Sequence, residues 1–319
     1  MDDAVMIARI QDSLGMAHLL QGDWEAADEA LAAARNVLLP AGFRLSLADL
    51  NNHLGKLYRL RGKWQESLVY HQQALELAQA MQSLPNIALA QREMGCTLTL
   101  MDHLAEAEEW LREAEALFHR LAMPLELIRT QLAWGNLRRR QKDIPGAQAA
   151  YTASLETAVS LGMRPEQAAA LQGLGEVRLD ANDADAALPL LEEALALRQQ
   201  LGNPQDMLES LLILARARWL GGGAVAAEET LSRATRLTQR LNRTDVQVRL
   251  VWLRAEQAIA ASQVDKAAAL YHHALHLSEK QDTDCLRTLR QATQQRLQQL
   301  DVLSTGQPAR RLDRTPSRQ

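Results

Sequence analysis

Glycine and lysine residues near position 60 are of the types found in phosphate-binding loops. Such a loop follows a strand, places four residues between its two glycines, and continues with Lys and then Ser or Thr. Here six residues separate Gly55 from Gly62, and Trp64 follows Lys63 where the hydroxyl is needed. The spacing predicts no nucleotide site, and we interpret these residues as part of a helix and the turn after it.

Two other clusters contain side chains that bind metal ions in proteins. His272 and His276 lie four residues apart, but no Glu lies between them and no third ligand is visible. The acidic stretch 180–185 has Asp185 at its sixth place, where a calcium loop needs Gly. These patterns favour an exposed helix face and a solvated turn that caps a helix. With no nucleophile and base at a recognised spacing, we expect no metal, no cofactor and no enzymatic activity.

The composition indicates the elements that must position any site. Of 319 residues, 47% are hydrophobic but only 4% are aromatic, which favours helices packed through Ala and Leu. The formal net charge of −4 gives no reason to expect direct nucleic-acid binding. Cys96 and Cys285 are isolated, which favours a reducing compartment. With no signal-like start and no apolar run long enough to span a bilayer, we expect a cytoplasmic location and no membrane contact.

Most of the chain follows a constant period of 40 residues, which is the distance from Gly15 to Gly55. A column of small residues recurs at this spacing, and two further columns begin at Ala27 and Ala34. The first column is Gly15, Gly55, Gly95, Gly135, Gly175, Ala215 and Ala255. Antiparallel helices pack closely only where the side chains at their crossing are small. Each period therefore predicts two amphipathic helices, and the chain holds seven such repeats.

The pattern resembles a known repeat. Residues 54–67 read LGKLYRLRGKWQES, Tyr70 and Ala74-Leu75 follow, and residues 14–27 repeat the theme. This motif resembles the tetratricopeptide repeat, in its longer-helix, 40-residue version. The resemblance covers about residues 1–280, although the last two repeats carry Ala where the others carry Gly.

The resemblance implies an all-α fold, an α-solenoid of seven antiparallel helix pairs wound into a right-handed superhelix. We expect tandem repeats over residues 1–280, a capping helix over 281–301 and a disordered basic tail over 302–319. Pro189 falls beyond the first turn of its predicted helix, so it should kink or delay that helix.

The resemblance also implies that the first helix of each repeat lines a concave groove. Lining positions fall three and six residues before the first column, and one and four after it. The candidate residues are Asn52, Lys56, Arg59, Arg92, Arg129, Asn136, Arg139, Leu212, Arg216, Trp219, Arg249, Trp252 and Ile259. Because we count the acidic residues mainly on second helices, we expect a basic groove whose Asn and Arg side chains bind a peptide backbone and its carboxylates. The alternative is a solvated face.

Apolar residues raise two further alternatives. Trp219 and Trp252 either face the groove or belong to the core. The helix over 207–220 is apolar on most sides, so either the superhelix closes over it or a partner's apolar side chains cover it. The first helix opens with Met6 and Ile7 and lacks a polar outer face. It predicts contact with something else, including self-association through the first repeat, or a chain that is a fragment of a larger protein.

These observations favour a non-enzymatic scaffold that binds a protein or peptide in the concave groove. The alternative is regulatory, because repeats of this length resemble the sensor regions of bacterial transcription regulators and signalling proteins. In that case the chain acts as a sensor for a separate domain or protein.

Overall fold

The computed structural model describes the backbone of residues 2–305 and the side chains of residues 5–300. Within this part of the chain every regular element is an α-helix, which confirms the all-α prediction. The helices are α1 (Asp2–Gln21), α2 (Trp24–Ala41), α3 (Arg44–Leu60), α4 (Trp64–Ala80), α5 (Leu84–Leu100), α6 (Leu104–Arg120), α7 (Pro124–Arg140), α8 (Ile144–Ser160), α9 (Arg164–Asp180), α10 (Ala184–Leu201), α11 (Pro204–Leu220), α12 (Ala224–Arg240), α13 (Thr244–Ala260), α14 (Val264–Ser278) and α15 (Asp284–Thr305).

The turns between helices recur twice in each period. From residue 22 to residue 262, the same turn position has a positive φ, at Gly62 (73°) as at Asn182 (59°). Helices α3 to α9 are each 17 residues long, so a helix and a three-residue turn make half a repeat. Glycine adopts this left-handed conformation without strain, which explains why several of the chain's glycines lie there.

Helix α10 tests the expected effect of Pro189. The Asp183 carboxylate accepts a hydrogen bond from the Ala186 N–H at 3.1 Å, which confirms that the acidic turn caps a helix. The helix begins at Ala184, one full period after the start of α8 at Ile144. The expected delay is therefore wrong, because the capped first turn fixes the helix start before Pro189 is reached.

Small residues in the first column let bulky side chains of the second helix approach the backbone. Tyr151 on α8 is 1% exposed and lies between Gly135 on α7 and Gly173 on α9. A Cβ added to either glycine would overlap the tyrosine ring. The close packing predicted from the periodic columns is thus present, and it holds neighbouring repeats together.

The chain divides into two compact units, Met1–Asn242 and Arg243–Gln319. The N-terminal unit holds α1 to α12 as six antiparallel pairs. Within its described residues, the backbone of each odd-numbered helix lies close to that of the next odd-numbered helix, whereas the backbones of successive even-numbered helices do not approach each other closely. The odd-numbered helices therefore form the inner layer, as predicted for the first helices of the repeats.

The N-terminal unit also closes on itself. Helix α1 contacts α11, and a Cβ on Gly22 would lie 3.1 Å from Leu241 Cδ2. On the apolar helix α11, Leu208, Leu211 and Leu214 are buried, and this helix contacts α9, α10 and α12 as well as α1. Of the two alternatives for this helix, the structure favours burial by other helices of the same unit.

The C-terminal unit contains α13, α14 and α15. Helix α15 contacts both partners, and the Arg296 guanidinium donates to both carboxylate oxygens of Glu256 at 3.0 Å. The helix continues to Thr305, four residues into the predicted tail, and the remainder of that tail, 306–319, lies outside the described residues. None of the helices described here combines the length and apolar character needed to cross a bilayer.

Candidate functional site

The predicted groove residues of the N-terminal unit all lie on odd-numbered helices. They are Asn52, Lys56 and Arg59 on α3, Arg92 on α5, Arg129, Asn136 and Arg139 on α7, and Leu212, Arg216 and Trp219 on α11. The inner layer thus presents most of its predicted polar residues along α3, α5 and α7. Their contacts show which of them are available to a ligand.

The α3–α5 end of the groove is built around one carboxylate. Glu93 Oε2 lies 2.8 Å from an Arg59 nitrogen, and Glu93 Oε1 accepts a hydrogen bond from Arg92 at 2.9 Å. The side chains of Glu93 and Arg59 are each 14% exposed. Burial alone would raise the pKa of Glu93, but Arg59 and Arg92 hold that pKa well below its ordinary value. Glu93 is therefore a fixed negative charge that neutralises predicted ligand-binding arginines.

Ion pairs continue from α5 to α9. Arg92 is 6% exposed and also donates to the Glu126 carboxylate on α7. Arg129 donates to Glu126 at 3.2 Å and to Glu166 on α9 at 3.0 Å. Burial would lower the pKa of Arg92, but Glu93 and Glu126 raise it above its ordinary value. Each of these arginines is thus held by acids of the protein itself.

The α7–α9 end has the opposite balance of charge. Arg139 donates to the Glu176 carboxylate and, at 2.9 Å, to Asp180. Beside it, the exposed Asn136 accepts a hydrogen bond from the Tyr151 hydroxyl at 2.7 Å. One cation is therefore shared by two carboxylates at this end, whereas several cations surround Glu93 at the other.

Lys56 differs from the arginines around it. It lies on α3 near Glu93, Arg59, Arg92 and Arg129, yet it forms no ion pair or hydrogen bond with the described residues. Burial lowers the pKa of Lys56, and the three arginines lower it further against the opposing effect of Glu93. Within the network, Lys56 is the cation that a ligand's anionic group would stabilise most.

The expected basic groove is wrong, because acids on first helices match its cations. The five cations are the unpaired Lys56 and the ion-paired Arg59, Arg92, Arg129 and Arg139, and the five acids are Glu93, Glu126, Glu166, Glu176 and Asp180. The sequence did contain the signal. Glu176 follows Gly175 as Lys56 follows Gly55, and Glu126 and Glu166 lie nine residues before their glycines, a further turn along the same face.

Asn52 is buried beneath the groove instead of lining it. It is 8% exposed, and its Oδ1 lies 3.2 Å from Nδ1 of His71, which packs against Gly55. Burial lowers the pKa of His71 to about 3, so this imidazole is neutral at physiological pH. Asn52 Oδ1 is therefore engaged by His71, and the Asn52 Nδ2 atom is buried without a hydrogen-bond partner in the described residues.

The predicted apolar end is mostly core. Leu212 is 6% exposed, Trp219 is half-buried, and Arg216 is exposed on the same helix. In the C-terminal unit, the Trp252 ring packs edge-on against Tyr271 with centroids 5.7 Å apart, and Ile259 joins the same apolar cluster. Leu212 is thus corrected to a buried core residue, whereas Trp252 and Ile259 are partly buried against the core of the C-terminal unit. Arg249 is half-buried on α13.

Two further groups of residues from the sequence analysis lie at the protein surface. His272 and His276 are exposed on α14, and no group of three His, Cys, Asp or Glu side chains in the described residues could hold a metal ion. On α1, Met6, Ile7 and Ile10 are each more than half exposed. Self-association through this helix stays a prediction.

The fold and the groove together define a class, the helical repeat scaffold with a polar inner layer. Residues 46–119 and 126–200 match the family model of the tetratricopeptide repeat. The chain therefore contains tetratricopeptide repeats, as the sequence pattern indicated.

Solved structures share this fold at low sequence identity. A Rap protein complexed with competence and sporulation factor is 10% identical, with a TM-score of 0.64, 95% of this chain covered and 100% of that one. The Rap conjugation gene regulator of plasmid pLS20, in complex with the Phr* peptide, is 10% identical, with a TM-score of 0.63 and coverage of 96% and 99%. Yeast Tom70 is 15% identical, with a TM-score of 0.54 and coverage of 93% and 65%.

A curated relative matches a short part of the sequence. Separin of Emericella nidulans is 28% identical over 91 residues, which is 28% of this chain and 4% of separin. The chain thus corresponds to a small fraction of that protein's length.

Proposed function

We propose that the protein is a non-enzymatic scaffold whose N-terminal unit binds an extended peptide, or an extended segment of a protein, in its concave groove. The observation that carries the proposal is Lys56, a cation without an acidic partner at the positive end of an otherwise paired network. An anionic group of the ligand placed there would gain a charge-assisted contact that the protein itself does not supply.

The charge balance gives the ligand an orientation. The α3–α5 end has cations in excess around Glu93, and the α7–α9 end has acids in excess around Arg139. A peptide with an acidic end and a basic end matches this order when its acidic end lies at Lys56. At the α7–α9 end, the exposed Asn136 amide N–H₂ can donate to a peptide carbonyl while its oxygen accepts from Tyr151.

Similarity to peptide complexes supports this proposal. The pLS20 regulator, which shares the fold, is described in complex with a peptide. Because the identity is 10%, we transfer only the idea that such a superhelix can enclose a peptide.

Binding can be tested by selecting peptides from a displayed library of short sequences. The selected peptides should carry acidic residues toward one end, and fluorescence anisotropy should show about tenfold weaker binding to Lys56→Gln, since one charge-assisted contact is lost. Arg112→Gln is the matched control, because it also removes one positive charge but lies 64% exposed on the second helix α6. Selected peptides that bind wild type and Lys56→Gln equally would contradict the groove assignment.

A regulatory role is the second candidate, favoured by the fold shared with the pLS20 conjugation gene regulator. A sensor must change conformation when its ligand binds. Hydrogen exchange with and without a selected peptide would separate the two roles. Protection confined to α3, α5, α7 and α9 supports a static scaffold, whereas changes that extend to the C-terminal unit support a sensor.

A further inference from the structure

Equivalent helix junctions in different repeats can be compared position by position. At the α6–α7 junction, Gln131 Nε2 donates to Glu115 Oε1 at 2.6 Å, and Trp134 Nε1 donates to Glu115 Oε2 at 3.1 Å. Trp134 is only 9% exposed. This junction is filled by an indole, and its carboxylate is fully used by neighbouring donors.

The α2–α3 junction, two repeats earlier, has different residues at the positions of Glu115, Gln131 and Trp134. Arg35 stands at the position of Glu115, Asn51 at that of Gln131, and Leu54 at that of Trp134. The charge is reversed, the amide is one methylene shorter, and the indole is lost. A cleft of about 280 Å³ lies between α2, α3 and α4. Its polar lining is Arg35, Asn51, Gln73 and Glu76, and its apolar lining is Leu39, Leu47 and Leu77.

Two polar atoms of this cleft have no partner in the described protein. Asn51 is 2% exposed, and its Oδ1 accepts no hydrogen bond. The Arg35 Nε–H is likewise buried without an acceptor, and Arg35 forms no ion pair with the described residues. A buried amide oxygen and a buried guanidinium N–H that lack hydrogen-bond partners are costly to a folded protein. Both residues line the same cleft.

We propose that this cleft binds a free aliphatic amino acid of about the size of leucine. The ligand's carboxylate would bind the Arg35 guanidinium, and its ammonium group would donate to Asn51 Oδ1 with Glu76 nearby. Its side chain would pack on Leu39, Leu47 and Leu77. The volume lies near the lower end of the ~300–1,000 Å³ typical of small-molecule sites, which suits a ligand of this size.

The charge pattern selects a free amino acid over a peptide. A free amino acid carries its carboxylate and its ammonium group on one carbon, which suits Arg35 and Asn51 as lining residues of one small cleft. The cleft also lies against the second helices α2 and α4, whereas the proposed peptide groove is formed by first helices. This inference is therefore independent of the proposed function.

Calorimetry with defined probes tests the proposal. L-leucine should bind with one-to-one stoichiometry. 4-Methylpentanoate lacks the ammonium group, 3-methylbutylamine lacks the carboxylate, and glycine lacks the side chain, so each should bind at least about tenfold more weakly. No heat with L-leucine, or equal affinity for L-leucine and 4-methylpentanoate, would overturn the proposal.

Variants that copy the filled junction supply the control for folding. The triple variant Arg35→Glu, Asn51→Gln, Leu54→Trp rebuilds the α6–α7 arrangement, so it should fold and lose leucine binding. Arg35→Gln alone, at a half-buried position, should weaken leucine binding by about tenfold. Arg112→Gln should leave it unchanged. Undiminished leucine binding by the folded triple variant, or by Arg35→Gln, would overturn the assignment of this cleft.

Discussion

The two ends of the groove network use the same residue types in opposite proportion. At the α3–α5 end, Lys56, Arg59 and Arg92 surround Glu93, whereas at the α7–α9 end Glu176 and Asp180 flank Arg139. The acid at the first end is 14% exposed, and Asp180 at the second is 27% exposed. The repeat sequence therefore sets the positions of the charged residues, and their burial determines how strongly the stability of the fold depends on each of them.

Removing the central acid of the α3–α5 end should have the largest effect on stability. Glu93→Gln leaves Arg59 and Arg92 buried beside a neutral amide, and breaking a buried ion pair typically costs about 3–5 kcal/mol. Urea denaturation should show this loss in the free energy of unfolding. Asp180→Asn is the matched change at the other end and should cost no more than about 1 kcal/mol, because its pair is more exposed. Equal losses from the two variants would contradict the comparison.

The side chain beneath the α3–α5 end should make stability depend on pH. His71 has a folded-state pKa of about 3, below its ordinary value, so the unfolded chain takes up a proton first as the pH falls. The free energy of unfolding should therefore decrease by ~2 kcal/mol from pH 7 to pH 5 through this residue. Glu93 contributes at lower pH, since its own pKa is lowered.

His71→Leu checks the assignment of this slope. Leucine occupies the equivalent position 31, 111, 191 and 231, so the substitution suits the fold. The variant should show a smaller decrease in unfolding free energy between pH 7 and pH 5. An unchanged decrease would show that another group is responsible.

The equivalent residue beneath the α7–α9 end should have a smaller effect that does not depend on pH in this range. Tyr151→Phe removes the hydroxyl that donates to Asn136 at 2.7 Å and keeps the ring between Gly135 and Gly173. Thermal or urea unfolding should show a loss of about 1 kcal/mol, the typical net contribution of one hydrogen bond. A loss as large as that of Glu93→Gln would mean that this hydrogen bond, and not burial of charge, dominates the network.

Much of the fold could be predicted from the sequence, because the small-residue columns and turn positions are local and periodic. Helix pairs and their register follow from the spacing of Gly15 to Ala255, and the inner position of first helices is implied by the resemblance to the tetratricopeptide repeat. The state of the groove could not be predicted in the same way. Whether Arg92 is free depends on Glu93 and Glu126, and Glu126 is 34 residues away in the next repeat. Such pairing is a tertiary property that a reading of one repeat at a time omits.

The apolar residues show the same limit. Trp252 and Ile259 satisfy the spacing rule for the groove, yet they pack against Tyr271 and the helix that follows it. A position rule gives the direction of a side chain from its helix, but not which later helix covers it. The Lys56 side chain illustrates the reverse case, where the rule predicted a groove residue and its neighbours leave it without a partner.

Photo-crosslinking can show whether a peptide binds to the inner layer of the N-terminal unit. Benzoylphenylalanine in place of the exposed Asn136 on α7 should form an adduct with a library-selected peptide. The same group in place of Val69, 55% exposed on the second helix α4, is the control and should form none. If the peptide lies in the groove, adducts should form at position 136 alone. Adducts at position 69 and none at position 136 would show that the peptide binds outside the groove.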